Sequence, residues 1–252
     1  MSRKQKAAEN NKKWFDSEQF TNGYADAEFE NIAGRFLCGD VIEHGVLSDK
    51  QKAIVILTTL TASGTHEVME KYVLAALRAG ASANEIRETL IQCAPYVGLE
   101  RVDLSLKEAY AAFEKAGVSE TVTEQATVDD DTRFEKGLAV QQEIFGADNI
   151  NNMRASAPQE LKHIQDYLSA YCFGDFYTRK TLDLKMRELI TFCAICSLGG
   201  CEPQAKAHAA ANISVGNTRE MLIDAITQCL PFIGFPRTLN AISCIDSVTS
   251  QN

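Results

Sequence analysis

One histidine has surroundings that suit acid–base chemistry. The chain has four histidines, and His208 lies in an alanine-rich stretch whose small side chains leave room beside an imidazole. A histidine changes protonation near neutral pH, so it can move a proton to or from a substrate. Taken alone, a histidine in such a helix is more often a satisfied core or surface residue, and this alternative stands beside the catalytic one.

The cysteines offer a second kind of chemistry. Cys201 precedes His208 in the same stretch, where it could line a pocket or act as a lone thiol. Cys193 and Cys196 form a Cys-x-x-Cys pair on an apolar helix without a histidine in the following turn, and zinc would need two further ligands. The eight cysteines are therefore predicted to be free thiols that pack like small hydrophobic residues in a reducing compartment.

The segment that carries these residues occurs twice in the chain. Residues 50–101 align with residues 186–237 at an offset of 136 without a gap. The identical pairs are mostly turn and break residues, which rarely fall into register by chance. They include Gly64/Gly200, Ala75/Ala211, Gly80/Gly216, Gln92/Gln228, Cys93/Cys229, Pro95/Pro231, Gly98/Gly234 and Arg101/Arg237. The sequence therefore predicts an internal duplication.

Both copies carry the pattern of the same run of helices. In the second copy, residues 182–198 have apolar residues at helical spacing, and a second helix is predicted over 203–215. Thr218 is predicted to cap a third helix that ends before a proline-bounded break at 231–236. The first copy repeats these signals, with Ser82 in the place of the threonine. Strand signals are nearly absent, so we predict an all-α fold of two tandem helical-bundle repeats.

Composition suggests where the repeats begin and end. Residues 1–25 open with a short basic stretch, which we interpret as a solvated tail. A first repeat over 26–115 and a second over 133–252 are then joined by a linker over 116–132, which is polar and has little apolar periodicity.

Charge and hydropathy exclude several classes of partner. The net charge of -9 argues against nucleic acid, because phosphate backbones are bound by clustered lysine and arginine. No apolar run is long enough to span a bilayer, and the N-terminus has no apolar segment of a secretory signal. We expect a cytoplasmic protein that binds a small-molecule substrate and neither nucleic acid nor a membrane.

The second copy resembles a known family. Residues 173–190 look like the entry to a carboxymuconolactone decarboxylase domain, and 204–208 and 231–236 fit the same pattern. The resemblance is strong over 133–248 and weak over 30–115. It implies a compact helical domain that oligomerises, with a site near subunit contacts. A homo-oligomer, in the form of a trimer that brings six repeats together, is expected on this basis.

The resemblance also implies roles for individual residues. His208 and Glu188 would share the proton transfer and the stabilisation of an enolate, as the catalytic pair. Arg187 or Arg179 would hold a substrate carboxylate as a bidentate partner, although surface solvation is an equal alternative. Cys201 would line the substrate-binding site. No metal and no organic cofactor is implied.

Two chemical branches of the superfamily remain open. Proteins similar to alkylhydroperoxidase D use a Cys-x-x-Cys-x-x-x-His motif for disulfide chemistry, whereas the decarboxylases use the same histidine without the dithiol. Here Cys201 takes the first cysteine position, but Gln204 stands at the second, so the resolving thiol of a two-cysteine cycle is missing. The leading hypothesis is a decarboxylase-like lyase acting on a small carboxylated lactone or related acid. The alternatives are a thiol-dependent peroxidase or disulfide reductase using Cys201, and a non-enzymatic oligomeric scaffold.

The first copy lacks the residues that are expected to have catalytic or substrate-binding roles in the second copy. Lys52, Thr65 and Tyr72 stand where the second copy has its glutamate, cysteine and histidine. We interpret this as decay of function after duplication, with the first copy kept for its packing surface. The N-terminal half is therefore predicted to be structural.

Overall fold

The computed structural model describes residues 1–119 and 122–249, and all of its regular structure is helical. Glu120 and Thr121 of the expected linker, and residues 250–252 of the expected second repeat, lie outside the described residues. The α-helices are α1 (Arg3–Phe15), α2 (Ala27–Phe36), α3 (Asp49–Ser63), α4 (Met69–Arg78), α5 (Ala83–Gln92), α6 (Ala94–Val97), α7 (Leu99–Lys115), α8 (Arg133–Phe145), α9 (Ala147–Ser156), α10 (Lys162–Tyr167), α11 (Leu184–Leu198), α12 (Glu202–Ser214) and α13 (Arg219–Thr249). No described residue is in a strand, which confirms the all-α class.

Three shorter segments connect these helices. Leu37–Val41 and Leu168–Tyr177 are π-helical, and Gln159–Leu161 is a single 3-10 turn. In a π-helix the backbone hydrogen bonds join residues five apart in sequence, one more than in an α-helix. Such segments frequently occur at functional sites. Among the helices that the structure describes, none has both the length and the apolar character needed to cross a membrane.

Short-range signals fix where the helices begin and end. Ser82 accepts a hydrogen bond from the backbone N–H of Glu85, and the Glu85 side chain accepts one from the backbone N–H of Ser82, so the two residues form a capping box. The Thr218 hydroxyl caps the start of α13 by accepting a hydrogen bond from the backbone N–H of Met221. Gly80 and Gly216 end the preceding helices with φ of 89° and 94°, a left-handed backbone in which glycine is unstrained.

Two helices, one from each repeat, form the centre of the molecule. α3 and α11 pack against each other, and every residue of 52–62 and 187–197 is buried. A helix without a polar face must lie inside a protein. Ile54 and Ile190 belong to a single apolar cluster, so the hydrophobic core is continuous across the boundary between the repeats.

The duplication is visible in the backbone at two equivalent glycines. Gly98 has φ 88° and ψ 158° between α6 and α7, and Gly234 has φ 75° and ψ 169° inside α13, which is broken there. The chain therefore leaves the helical conformation at the same place in both repeats.

The expected tail over residues 1–25 is corrected by the structure. Arg3–Phe15 is a helix that packs on the π-helical segment of the first repeat and buries Trp14. The lysines and arginines suggested a solvated segment, and most of them are exposed, but Asn10, Asn11 and Trp14 of the same helix are buried. The apolar face belongs to the core of the first repeat.

α1 is the counterpart of α8 in the second repeat. Nε of Arg3 donates to Asp40 at 2.8 Å, and Nε of Arg133 donates to Asp175 at the same distance. The glycine before each aspartate lies close to the backbone of the facing helix, and a Cβ at Gly174 would overlap the carbonyl of Arg133. The first repeat therefore begins near residue 3.

Candidate active site

His208 on α12 and Glu188 on α11 form a buried pair. Nδ1 of His208 lies 2.8 Å from Oε2 of Glu188. Glu188 is fully buried, and His208 is 8% exposed. The side-chain amide of Asn212 donates to the backbone carbonyls of Glu188 and His208, at 2.9 and 2.8 Å. These bonds tie α12 to α11 and fix the geometry of the pair.

The donors around Glu188 determine which nitrogen of His208 carries a proton. The hydroxyl of Tyr177 donates to Oε1 of Glu188 at 2.8 Å. Because an ionised carboxylate can only accept hydrogen bonds, ionisation of Glu188 makes Nδ1 of His208 the donor to the other oxygen. Its Nε2 is then available to accept a proton or, in the imidazolium form, to donate one. A carboxylate orients a catalytic imidazole in this way in many enzymes.

Two tyrosine hydroxyls extend this network into the first repeat. The Tyr177 hydroxyl lies 2.8 Å from Oγ1 of Thr191 and 3.1 Å from the hydroxyl of Tyr96. Tyr96 belongs to α6 of the first repeat, and Tyr177 ends the second π-helical segment. Burial raises the pKa of both tyrosines well above the ordinary value, so both hydroxyls keep their protons and can donate.

His208 faces a cavity of about 640 Å³. Most of its wall is aromatic or aliphatic. The lining residues are Pro95, Tyr96, Gln141, Phe145, Asn149, Ile150, Met153, Ile164, Tyr167, Leu168, Tyr171, Cys172, Phe173, Ile195, Leu198, Cys201, Gln204, Ala207 and His208. A concave, mostly apolar cavity with a few polar groups is the usual form of a small-molecule site. Within residues 1–119 and 122–249, no three His, Cys, Asp or Glu side chains are grouped so that they could hold a metal ion.

Two aromatic rings stand edge-on to the imidazole of His208. The ring of Phe145, at the end of α8, is 5.4 Å away between centroids, and the ring of Tyr96 is 5.7 Å away, both at 89°. Tyr96 comes from the first repeat, so the site is built from both halves of the chain. The expectation that the N-terminal half is purely structural does not fit this geometry.

The equivalent place in the first repeat has the same rings without the acid–base pair. Tyr72 contacts Phe15 and Phe232, with centroids 5.5 and 5.6 Å apart and both at 84°. Lys52, in the position of the glutamate, donates from Nζ to the carbonyl of Ile42 at 2.7 Å. The Tyr72 hydroxyl is buried and finds no hydrogen-bond partner in the described part of the chain. Aromatic packing therefore occupies this position.

Neither arginine expected to hold a substrate carboxylate is brought to the cavity. Arg187 is fully buried and donates to three backbone carbonyls of the 179–182 segment and to the side chain of Gln92. Arg179 donates from Nε and Nη2 to the two oxygens of Glu88, at 2.7 and 2.8 Å. Gln92 and Glu88 belong to the first repeat, so both guanidinium groups join the repeats to each other.

Cys201 does reach the cavity, as does Gln204 in the position of the second cysteine. Cys201 also borders a separate small cavity of about 20 Å³, together with Cys196 and Cys244. Cys193 and Cys196 are buried in α11, and burial raises the pKa of Cys196 well above its ordinary value. The Cys-x-x-Cys pair is thus a packing feature, and Cys201 is the thiol nearest in sequence to His208 that a cavity ligand can contact.

Sequence reasoning did not find Tyr177 and Tyr96. Tyr177 lies within the stretch that resembles the family, but the sequence does not indicate that its hydroxyl meets Glu188. The one sequence feature that singled out Tyr96 is its alignment with Phe232 of the other copy, which has no hydroxyl. The hydroxyl is present only on the ring that faces the intact acid–base pair.

The chain matches the carboxymuconolactone decarboxylase family over two segments, residues 32–120 and 162–246. It is 25% identical over 121 residues to 4-carboxymuconolactone decarboxylase of Acinetobacter baylyi, an alignment that covers 48% of this chain and 90% of that protein. A solved structure from Burkholderia xenovorans LB400, named as a gamma-carboxymuconolactone decarboxylase subunit, has a TM-score of 0.52 and 14% identity, over 99% of this chain and 98% of that one. This structural likeness shows the fold. The two matched segments cover more than half of the sequence, and the chain belongs to the carboxymuconolactone decarboxylase family.

Proposed function

We propose that the protein is a carboxy-lyase that decarboxylates a small lactone acid or a related carboxylic acid at His208. The observation that carries this proposal is the His208–Glu188 pair, which places a proton donor on the wall of an apolar cavity. The family membership and the similarity to a named decarboxylase support the same class of reaction.

The proposed reaction moves one proton and breaks one carbon–carbon bond. The bond to the carboxyl group breaks, carbon dioxide leaves, and the electron pair delocalises onto a carbonyl oxygen of the substrate as an enolate. The imidazolium form of His208 stabilises that charge and then donates its Nε2 proton to the carbon. Nε2 regains a proton from water after the product leaves.

Glu188 and the tyrosines support this step without touching the substrate carbon. The carboxylate of Glu188 stabilises the imidazolium through Nδ1, at 2.8 Å. Tyr177 donates to the other carboxylate oxygen and keeps it from rotating away. Tyr96 holds Tyr177 through its hydroxyl and forms part of the cavity wall with its ring.

Replacement of His208 by alanine tests the proposal. His208→Ala should lower kcat on a panel of carboxylated lactones and 3-oxo acids by at least about a hundredfold, as is usual when a general acid is removed. Tyr72→Phe is the matched control at the equivalent position, and it deletes a hydroxyl that has no partner among the described residues. It should leave both kcat and the melting temperature nearly unchanged. An equal loss of activity in both variants would contradict the assignment of chemistry to the second repeat.

A thiol-dependent peroxidase or disulfide reductase is the second candidate, because three cysteines border one small cavity. Cys201 reaches both that cavity and the larger one, and Cys196 and Cys244 are the other two thiols. In this reaction the Cys201 thiolate would break the O–O bond of a peroxide, giving a sulfenic acid and an alcohol or water. A second thiol would then form a disulfide and release water. Peroxide turnover with a dithiol donor that is lost in Cys201→Ser, but kept in His208→Ala, would favour this function over the lyase.

A further inference from the structure

The cavity beside His208, as far as the described part of the chain lines it, has no fixed positive charge. Among the residues that the structure describes, neither a lysine nor an arginine borders it. Arg154 lies on α9, which forms one wall, but its guanidinium donates to the carbonyl of Gln165, to Ser169 and to Asp166. The two arginines on the α11 side pair with the other repeat instead, as described above.

Among the described residues that line the cavity, His208 is consequently the one whose side chain can take up a positive charge by protonation. Its imidazolium can neutralise one carboxylate of a ligand. A second carboxylate held beside the first would gain no counter-charge from the lining, and the loss of water on entering a mostly apolar cavity then opposes binding. This lining favours a ligand with a single carboxylate over one with two.

The wall of the cavity indicates what the rest of the ligand looks like. Phe145, Phe173, Tyr96, Tyr167 and Tyr171 all line it, and the other lining residues are mainly aliphatic. Aromatic side chains favour edge-to-face or offset contacts with further rings. A volume of about 640 Å³ lies within the usual range for small-molecule sites and has room for a substituted ring system.

We propose that this cavity binds an aromatic or similarly apolar substrate that carries a single carboxylate, in the manner of an aryl 3-oxo acid. The carboxylate end lies at His208, and the ring lies against the aromatic wall. A dicarboxylated lactone is a poor ligand, because its second carboxylate has no counter-charge in the cavity. The reaction of such a substrate rests on the proposed function, but its binding preference does not.

Two matched probes test the preference. Binding of 2-naphthoate and of 2,3-naphthalenedicarboxylate to the full chain is measured by calorimetry near neutral pH. They share a ring system and differ by one adjacent carboxylate. The monocarboxylate should bind at least about tenfold more tightly, since an uncompensated buried carboxylate costs more than the corresponding 1.4 kcal/mol. Equal or tighter binding of the dicarboxylate overturns the proposal, and so does failure of 2-naphthoate to bind at millimolar concentration.

A variant of the cavity wall tests whether the two probes bind in the cavity beside His208. Met153 is a half-buried lining residue on α9, and Met153→Lys adds an ammonium group to the wall. This variant should reduce the preference for 2-naphthoate to about threefold or less, whereas Met153→Leu should keep it near the wild-type value. An unchanged preference in Met153→Lys would show that the probes bind elsewhere, and would overturn the assignment to this cavity.

A neutral probe separates the charge on His208 from the shape of the cavity. His208→Ala should weaken the binding of 2-naphthoate by about tenfold or more, because the counter-charge is lost, and leave that of neutral 2-acetonaphthone within about twofold. Loss of both ligands together would contradict the role of the imidazolium. The enzymatic proposal fails separately, if 2-naphthoate binds as described and 3-oxo-3-(2-naphthyl)propanoate releases carbon dioxide no faster than it does without the protein.

Discussion

Glu188→Gln is the substitution that tests the acid–base pair most directly. The amide is nearly isosteric with the carboxylate but carries no charge, and one of its two ends is a donor. Since His208 donates from Nδ1 toward this side chain, the amide oxygen should face His208 and the amide nitrogen should face Tyr177. The Tyr177 hydroxyl can then accept from the amide and donate to Thr191, 2.8 Å away. All groups stay paired, so the fold should be kept.

The expected loss of activity follows from the lost charge. Hydrogen bonds to a charged group contribute about 1.5–3 kcal/mol and neutral ones about 0.5–1.5 kcal/mol. In Glu188→Gln, the hydrogen bonds from His208 and from Tyr177 change from bonds to a charged group into bonds to a neutral group. Of the two, the bond from the imidazolium of His208 weakens most in the transition state. A total of about 3 kcal/mol corresponds to a decrease in kcat of roughly a hundredfold.

The assay is carbon dioxide release at saturating substrate, beside a thermal melt of each variant. Glu88→Gln is the matched control, because Glu88 is also fully buried but pairs with Arg179 and does not line the cavity. Breaking a buried ion pair costs about 3–5 kcal/mol, so Glu88→Gln should lower the melting temperature by on the order of 10 °C and spare kcat. If Glu188→Gln keeps wild-type kcat, or if the two variants lose kcat equally at a temperature where both are folded, the charge on Glu188 has no role in the reaction.

Further predictions concern the repeat boundary, the packing and the assembly. Tyr96→Phe should lower kcat by about three- to tenfold through loss of one hydrogen bond, whereas Phe232→Tyr should not change it; the reverse result would exclude a composite site. Gly174→Ala should lower the melting temperature, because its Cβ would overlap the backbone of α8. Since burial raises the pKa of the tyrosines around Glu188, unfolding releases protons at high pH, and urea titrations should show stability falling as pH rises through about 10. Leu99 and Phe235 are equivalent in the two repeats and are each 62% exposed, so we expect a homo-oligomer, with a trimer as the simplest form; a monomeric mass by light scattering would contradict this.

The helical repeats could be predicted from sequence because their signals are local. Ser82 and Thr218 cap helices where a side-chain oxygen precedes an apolar periodic run, and Gly98 and Gly234 break the chain where only a few residue types tolerate a positive φ. The pairing of His208 with Glu188 was reachable only through the family resemblance. The two residues lie 20 positions apart, and no spacing rule places two adjacent helices face to face.

The roles expected for Arg179 and Arg187 could not be judged from sequence, because the partners of a charged side chain depend on tertiary structure. Glu88 precedes Arg179 by 91 residues, and its two oxygens accept from Nε and Nη2 of the Arg179 guanidinium. Arg187 is the first residue of the fully buried stretch 187–197 of α11, so its donors are used by backbone carbonyls and by Gln92. The family resemblance identifies the positions of the two arginines. It does not show that the Arg179 guanidinium is already paired with the carboxylate of Glu88.

The tertiary contacts of α1 could not be predicted from the sequence either, because its polar composition did not indicate an amphipathic helix. Trp14 and Phe15 are the apolar residues at its end, and Phe15 stands against Tyr72 as Phe145 stands against His208. Without the structure, this correspondence is hidden, since the two helices share few residues. The ion pairs of Arg3 and Arg133 show it only after the chain has folded.

The arrangement of the rings makes each repeat part of the surroundings of the other, although the first repeat has no acid–base pair of its own. Each repeat supplies one ring to the other: Tyr96 reaches His208 in the second, and Phe232 reaches Tyr72 in the first. Because this exchange is reciprocal, Phe232 of the second repeat meets Tyr72, whose hydroxyl has no hydrogen-bond partner among the described residues. Tyr96 of the first repeat meets His208 with its ring and Tyr177 with its hydroxyl. The asymmetry between the repeats is therefore located at the ends of the exchanged rings, where only Tyr96 carries a hydroxyl that reaches the hydrogen-bond partners of Glu188.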